Sequence, residues 1–288
     1  MVVVCARELC RLGSFNCRTL LPVWRRHELA AYTVESNVDI LAVQEHRIHF
    51  EDGDPVRRFE LGKGWMLLAA SASATGVGGV GFTVSQRVRH AIDSYNMISP
   101  RILHLQLSSG GQLKTVMFSV YSPTSSSDLS EADSFYHRLS DAIVATPRHH
   151  MLLVCGDFNA TLAPGDAGSK HCPRQRLNRN RDLLRDLADG ADLVAVNTQF
   201  QKPRYRLVTF HGPRGRQACP DHILVRRKWC SSFLDCEAKQ VHNVKSDHAA
   251  LIVKCRWRLA KPKSHAVLVE TGTSFTQTMN AVLTSSVT

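Results

Sequence analysis

The stretch LLVCGDFNATL, from Leu152 to Leu162, decides the fold that we predict for this chain. It begins with a continuous apolar run, which is typical of a buried strand, and the run stops abruptly at Gly-Asp-Phe-Asn. Asp157 and Asn159 therefore stand two residues apart directly after that strand. A carboxylate and a carboxamide at this place indicate polar groups presented by a rigid platform at the end of a sheet.

Polar side chains also stand at the ends of five further apolar strands. They are Asn16, Glu45, Tyr121, Asp221, and Asp247 with His248. Each has an ordinary alternative as a turn cap, an ion-pair partner, a half-buried packing residue or a core histidine. None of those alternatives predicts that six separate strands should each end in an acid, amide, phenol or imidazole group. Because a sheet aligns its strand ends, these side chains can converge in one cleft. Their oxygen ligands favour Mg²⁺ or Mn²⁺. A metal ion together with carboxylates and a base is suited to hydrolysis of a phosphate ester.

Composition limits the class of protein. The 288 residues are enough to bury a substantial core without staples, and the nine cysteines include no C-x-x-C pair, so we expect a reduced intracellular setting and no structural zinc site. No apolar run is long enough for a membrane span. Thirty-six Lys and Arg against twenty-five Asp and Glu give a net charge of +11. That charge favours a polyanionic partner such as nucleic acid, with a solvated basic surface as the alternative.

The order of elements predicts an α/β sandwich. Helical periodicity appears around residues 23–36, 127–145 and 182–190, and in the first of these Trp24, Leu29, Ala30 and Val34 are expected on one face. Strands and helices mix without regular alternation, which favours two packed sheets over a barrel or a doubly wound sheet. We expect an N-terminal extension at residues 1–10, one domain at 11–258 and a flexible tail at 259–288.

Six short motifs resemble those of a known family in their order and in their residues. The motifs are SFN (14–16), QEH (44–46), YSP (121–123), GDFNA (156–160), PDHILV (220–225) and SDHAAL (246–251). They resemble the endonuclease/exonuclease/phosphatase superfamily, which is DNase I-like, over about residues 11–258. FNCRTL, DILAVQEHR and TFHGPRGRQACPDHILV look closest to the endonuclease domains of non-LTR (LINE-type) retrotransposon polyproteins. The resemblance implies a four-layer α/β sandwich, in which two packed mixed β-sheets are flanked by helices.

The resemblance also implies the metal side of the site. Glu45 would be the principal Mg²⁺ ligand with support from Asn16, and Asp247 would be a further acid on the metal side or beside the histidine. Arg18 departs from the pattern, since many cellular abasic-site enzymes have an aspartate there. A cation cannot bind metal, so one supporting ligand is missing.

The catalytic side is implied in the same way. Asp157 would protonate the leaving group or orient the attacking water, and Asn159 and Tyr121 would hold the phosphate. His248 would contact the phosphate or act as a base, with Asp221 orienting its imidazole.

Two basic loops adjoin these strand ends and are expected to contact DNA phosphates. The residues concerned are Arg174, Arg176 and Arg179 in the first loop and Arg204 and Arg206 in the second. Phe210, inside the second loop, either wedges into a base step or packs under the loop.

We therefore predict a Mg²⁺-dependent endonuclease that nicks one strand of duplex DNA by direct attack of water. We expect it to be monomeric and nuclear, with no membrane partner and no organic cofactor. The alternatives are a phosphatase or nuclease acting on abasic DNA, RNA or inositol phosphates, and a catalytically silent nucleic-acid-binding domain of the same fold.

Overall fold

The computed structural model describes residues 9–109 and 112–256. The first strand begins at Leu9, so Leu9 and Cys10, which we had placed in an N-terminal extension, belong to a sheet. The rest of that extension and the expected tail at 259–288 lie outside the described residues.

The first sheet has seven strands. In spatial order they are β14 (Phe233–Lys239), β15 (Ala250–Arg256), β1 (Leu9–Asn16), β2 (Ile40–Gln44), β5 (Gly81–Val84), β4 (Trp65–Ala70) and β3 (Val56–Gly62). Strands β1 and β2 are parallel, and the other neighbours are antiparallel. The sheet is therefore mixed.

The second sheet has six strands. In spatial order they are β10 (Leu193–Ala195), β13 (Asp221–Arg226), β9 (Met151–Asp157), β8 (Lys114–Tyr121), β7 (Ile102–Ser108) and β6 (Ile92–Ser99). Here β8 and β9 are the parallel pair. A separate two-stranded hairpin, β11 (Phe210–His211) with β12 (Gln217–Ala218), stands beside the site described below.

Helices cover the outer faces of both sheets. They are α1 (Val23–Glu35), α3 (Leu129–Ala145) and α4 (Asn180–Gly190), and a single helical turn, α2 (Gln86–Arg89), follows β5. One core cluster lies between the sheets, a second joins the six-stranded sheet to α3 and α4, and a third joins the seven-stranded sheet to α1. The molecule thus has four layers, as predicted from the sequence.

Burial on both faces explains the apolar run that precedes Asp157. Leu153 and Cys155 of β9 belong to the core between the sheets, whereas Leu152 and Val154 pack under α3 and α4. A strand that is covered on both sides has no solvent face, so its sequence does not alternate. This strand is consequently a rigid support for the polar residues at its end.

One part of the predicted packing is wrong. Leu29 and Ala30 of α1 are buried as predicted, but Trp24 and Val34 are exposed, and Arg25, Tyr32 and Thr33 are buried in their place. The buried face of the helix is therefore rotated away from Trp24 and Val34. Within the described part of the chain, no helix has both the length and the apolar character needed to cross a bilayer.

Candidate active site

The register of the two sheets brings polar strand ends to one edge of the molecule. In the six-stranded sheet, Tyr121 on β8 lies beside Asp157 on β9, and Asp157 lies beside Asp221 on β13. In the other sheet, β1 ends at Asn16 in register with the last residue of β2, and Glu45 follows directly. Neighbouring strands are about 4.8 Å apart, so side chains at these positions can touch.

Asn16 connects the two sheets at this edge. Its buried side-chain amide donates to Glu45 Oε1 at 2.8 Å and to Asp157 Oδ2 at 3.0 Å. Asn16 and Asp157 are 141 residues apart in the sequence. Two carboxylates from different sheets therefore converge on one amide nitrogen.

Glu45 is held as an anion. Burial alone would raise the pKa of Glu45, but hydrogen bonds from Asn16, Arg47 and Tyr121 outweigh burial and lower it. The Arg47 Nη2 atom lies 2.6 Å from Glu45 Oε2. Glu45 also has a left-handed backbone, with φ of 56°, a conformation that costs free energy in a residue other than glycine and is held by surrounding structure. The carboxylate is thus charged and fixed in place.

The backbone of β9 lies very close to that of β8 at Gly156, directly before Asp157. A Cβ atom on Gly156 would lie 2.0 Å from the Val120 carbonyl oxygen, so only glycine fits there. Asp157 Oδ1 accepts a hydrogen bond from the Asn159 main-chain N–H at 2.8 Å. The Asn159 side chain donates to the Ser122 carbonyl at 2.9 Å. The side-chain amide of Asn159 therefore binds the loop after β8 and orients it.

His248 lies between two buried aspartates. Its Nδ1 atom is 2.9 Å from Asp221 Oδ2, and its Nε2 atom is 3.9 Å from Asp157 Oδ2. Asp221 Oδ1 is buried and has no hydrogen-bond partner among the described residues. The contact with Asp221 fixes one ring nitrogen and leaves Nε2 as the atom that faces the cleft.

Electrostatics shift the pKa values of His248 and Asp157 in the same direction. Burial lowers the pKa of His248, but the charge and hydrogen bond of Asp221, with the charges of Asp157 and Asp247, raise it overall to about 10. Burial and the nearby charge of Asp221 raise the pKa of Asp157 to about 7, against the opposing effects of His248, Asn159 and Asn16. At neutral pH the imidazole is therefore charged, and Asp157 is poised to exchange a proton.

Tyr121 completes the wall of the pocket. Burial and the charges of Glu45 and Asp157 raise the pKa of its hydroxyl, which keeps Tyr121 a neutral hydrogen-bond donor. The Arg101 guanidinium stacks over its ring, 5.1 Å from the centroid. The phenol is thus oriented from both ends.

The donor set fits a hard divalent cation. Glu45 supplies a charged carboxylate, and Asp157 Oδ2 lies close to it on the other side of the Asn16 amide nitrogen, while the Asn16 amide oxygen accepts a hydrogen bond from the Arg18 main chain. Oxygen ligands of this kind suit Mg²⁺ or Mn²⁺. Asp157, Asp221 and His248 also place one ligand atom each within 4.8 Å of one another, but the hydrogen bond between His248 and Asp221 suits a histidine-orienting pair better.

Comparison with known proteins identifies the family. A model of the endonuclease/exonuclease/phosphatase family matches residues 13–248. This chain belongs to that family. The craniofacial development protein 2 of Bos taurus is 28% identical over 277 residues, which cover 88% of this chain and 42% of that protein. The chain thus spans about two fifths of that relative's length.

Solved structures of nucleases share the family fold. The AP endonuclease LMAP from Leishmania major superposes with a TM-score of 0.68 at 15% identity and covers 86% of this chain and 88% of its own. The endonuclease domain of TRAS1, a telomere-specific non-LTR retrotransposon, has a TM-score of 0.60 at 16% identity, with 87% and 99% covered. At these identities the likeness shows the fold, which is the DNase I-like sandwich predicted from the sequence.

Asp247 lies on the histidine side of this family's site. Its Oδ2 atom is 3.1 Å from Arg18 Nη1, and its Oδ1 atom is 4.0 Å from His248 Nε2. The Arg18 main-chain N–H also donates to Asn16 Oδ1 at 3.0 Å. A guanidinium therefore neutralises Asp247, and of the two positions that we had left open the structure favours the one beside the histidine.

Arginines of the two basic loops make contacts within the protein. Arg179 donates to the Ser127 and Thr124 carbonyls, Arg204 binds the Arg174 carbonyl and Gln217, and Arg206 pairs with Glu237 at 2.9 Å. Arg174 and Arg176 are exposed. Arg179, Arg204 and Arg206 therefore help to hold the loops in place, and contact of all five arginines with DNA phosphates stays a prediction.

Phe210 packs under its loop. It is half-buried, its ring lies edge-on to His248 with 5.2 Å between centroids, and its backbone bridges to that residue. Of the two uses that we considered, the structure favours packing. The ring supports the imidazole from the side of the hairpin.

Sequence reasoning missed several residues of this site. Arg47 was overlooked although it stands two positions after Glu45, and the buried pair Gln44 and Ser119, which joins the two sheets at 3.2 Å, was not expected. The signal for Arg47 was present, because a cation close to a predicted metal ligand is unusual. Ser119 carried no such signal.

Proposed function

We propose that this chain is a divalent-metal-dependent phosphodiesterase that nicks one strand of duplex DNA, with Mg²⁺ or Mn²⁺ as its ion. One observation carries the proposal. The Asn16 amide donates to both Glu45 and Asp157 across the two sheets, so the oxygen ligands and the acid–histidine set share one pocket.

Each group in the pocket has a role in phosphate hydrolysis. When bound, the metal ion supplies positive charge that offsets negative charge on the phosphate oxygens. Asp221 fixes His248, so that Nε2 faces the scissile phosphate as a charged donor. Tyr121 would turn its single O–H from Glu45 to the same group when substrate is bound.

We assign the proton transfer to Asp157 and the attack to water. Both oxygens of Asp157 accept hydrogen bonds, one from Asn159 and one from Asn16. A carboxylate held in this way suits proton exchange with a water molecule or a leaving oxygen better than covalent attack. The reaction therefore needs no covalent enzyme intermediate.

The net charge favours DNA as the substrate, and the residues of the motifs favour a retrotransposon-type enzyme. The net charge of +11 suits a polyanion, and the resemblance of the motifs to non-LTR (LINE-type) endonuclease domains supports a nicking role. The fold likeness to the TRAS1 endonuclease domain is consistent with this assignment. We further propose that the protein acts as a monomer in the nucleus, where such a substrate resides.

Nicking of supercoiled plasmid tests the proposal. Wild-type protein with Mg²⁺ should convert supercoiled DNA to the relaxed form, and a chelator should abolish conversion. Glu45→Ala and His248→Ala should each lower the rate by about 10²–10⁴. Matched controls are Glu51→Ala and His137→Ala, both at exposed positions, which should nick at the wild-type rate. Absence of nicking by wild type, or equal nicking by E45A and E51A, would refute the proposal.

A specific observation supports a second candidate, the catalytically silent nucleic-acid-binding domain. Guanidinium groups already neutralise two acids at the pocket, since Arg47 binds Glu45 and Arg18 binds Asp247. This candidate predicts salt-sensitive DNA binding that persists without metal and is accompanied by no cleavage. The plasmid assay distinguishes the two.

A further inference from the structure

The start of α4 contacts the turn that follows β9. The helix begins at Asn180, which is fully buried. Its side-chain amide donates to the Pro123 carbonyl at 2.8 Å and to the Phe158 carbonyl at 3.5 Å. These carbonyls belong to the loops that follow Tyr121 and Asp157. The start of α4 therefore joins the two loops that lie next to the candidate active site.

Asn178 binds the same turn at two points. Its Nδ2 atom donates to the Asn159 carbonyl at 2.6 Å, and its Oδ1 atom accepts a hydrogen bond from the Thr161 main-chain N–H at 3.2 Å. A side-chain amide can do both because it carries a donor and an acceptor. The Thr161 hydroxyl also donates to the Arg176 carbonyl at 2.9 Å. The segment before α4 is thus fastened to the turn through Asn178 and Arg176.

The turn needs this support because of its backbone conformation. Asn159 is left-handed, with φ of 47°, and a residue other than glycine keeps that conformation where neighbouring groups fix it. Its main-chain N–H donates to Asp157 Oδ1 at 2.8 Å. The carbonyl that Asn178 binds and the N–H that binds Asp157 thus belong to the same residue. A movement of Asn159 would therefore take a hydrogen-bond donor away from the carboxylate.

Other contacts fix the rest of the turn. Phe158 and Ala160 are fully buried in the second core cluster. His222 Nε2 lies 2.9 Å from the Ala160 carbonyl, and burial lowers the pKa of His222, so the neutral ring donates through this atom. Loss of the Asn178 side chain should therefore leave the turn folded and loosen it at Asn159.

We propose that Asn178 is a positioning residue for Asp157, which it holds in place through the main chain of Asn159. The inference rests on the proposed function, because it makes Asn178 necessary for the proton transfer that we assigned to Asp157. A small displacement of a reacting group lowers the rate of the chemical step even when the substrate is bound normally. The side chain of Asn178 binds the turn, so its loss should lower kcat and leave KM nearly unchanged.

Two substitutions of Asn178 test the inference in the full chain. Asn178→Ala removes both contacts, whereas Asn178→Asp keeps the size and the acceptor for Thr161 but loses the donor to the Asn159 carbonyl. The matched control is Asn96→Ala, which makes the same change at an exposed position on β6. Leu187→Ala is the control for stability, because it removes a buried side chain of α4. Values of kcat and KM are measured for nicking of supercoiled plasmid with Mg²⁺, together with the unfolding midpoint of each variant in urea.

The expected result separates positioning from stability and from DNA binding. N178A and N178D should lower kcat by about 10–100-fold with KM within about twofold of wild type. N96A and L187A should keep both values, although L187A should unfold at a lower urea concentration. An equal loss of kcat in L187A would assign the effect to stability alone, and a raised KM with unchanged kcat in N178A would assign Asn178 to DNA binding. Either result would overturn the inference.

Hydrogen exchange provides a measurement that does not depend on cleavage. Without metal or DNA, the amides of Asn159 and Thr161 should exchange at least about tenfold faster in N178A than in wild type, while the amides of residues 183–190 should keep their wild-type rates. Unchanged exchange at Asn159 would contradict the inference. If wild type does not nick, the proposed function fails, yet faster or unchanged exchange still supports or overturns the hold of Asn178 on the turn.

Discussion

Replacement of Asp221 by asparagine separates the charge of the acid–histidine pair from its shape. The substitution keeps the size of the side chain but removes the charge that faces His248 Nδ1 at 2.9 Å. In the wild type burial lowers the pKa of His248, but the charge and hydrogen bond of Asp221, with the charges of Asp157 and Asp247, raise it from its ordinary value of 6.5 to about 10. Without the Asp221 charge, only Asp157 and Asp247 oppose burial, so we expect the pKa of His248 to fall toward its ordinary value.

The free energy involved is large compared with most single contacts. A pKa difference between 6.5 and about 10 corresponds to stabilisation of the imidazolium on the order of 5 kcal/mol. Asp221 provides the largest of the favourable contributions, so its loss should leave His248 mostly neutral at pH 7.5 and remove the charged donor to the phosphate. We expect the nicking rate to fall by about 10²–10⁴.

Two measurements check this prediction. The His248 pKa is read from the imidazole carbon–proton resonance by NMR, which is assigned with a His248→Asn variant, and nicking is followed with supercoiled plasmid at pH 7.5. Asp192→Asn is the control, because Asp192 is exposed and pairs with Arg227 away from the site. If D221N leaves His248 charged above pH 8, or nicks within threefold of D192N, the assignment of Asp221 is wrong.

Three further predictions follow from the same geometry. Glu45→Ala should weaken Mn²⁺ binding at least about tenfold in calorimetry without DNA, whereas Glu51→Ala should not; unchanged binding would place the metal elsewhere. Gly156→Ala should lower the free energy of unfolding in urea by about 3 kcal/mol or more, because its Cβ would lie 2.0 Å from the Val120 oxygen. The control Gly190→Ala places its Cβ where nothing lies within 4 Å and should leave the free energy of unfolding nearly unchanged. Equal effects of the two substitutions would contradict this prediction. Burial lowers the pKa of His46 to about 4, and the ring nitrogens bind Val80 O and Ile48 N–H as a neutral imidazole. As the pH falls from 6.5 to about 4 the unfolded chain is protonated first, so wild type should lose about 3 kcal/mol of stability that His46→Gln does not lose; parallel urea curves for the two proteins would refute the reasoning.

Much of the fold could be read from local patterns. The run before Asp157 lacks alternation because β9 is covered on both faces, and the helix at 180–190 shows its buried leucines at helical spacing. The prediction for α1 was confirmed for Leu29 and Ala30 and wrong for Trp24 and Val34, because periodicity alone does not show which neighbouring positions pack on the seven-stranded sheet. The family assignment rested on six short motifs in order, and the match over residues 13–248 confirmed it.

The candidate site could be assembled from the sequence only in outline. The strand ends predicted from the sequence identified the polar residues that β1, β2, β8, β9 and β13 bring to the site. The sequence did not predict the internal partners of Arg179, Arg204 and Arg206, because those partners are distant along the chain. Nor did it show that Phe210 packs against His248.

The sequence by itself determined most of the buried runs and where the strands of the site end, because periodicity and strand-breaking residues are local properties. Only the tertiary structure decided how the two sheets face each other, the pairing of Arg18 with Asp247, and the hydrogen bond from Arg25 to the Lys245 carbonyl. The physical reason is that a hydrogen bond or ion pair requires the distance between its two atoms to be correct within a few tenths of an ångström, although these atoms belong to residues that are far apart along the chain. Such distances are fixed only when both sheets have packed.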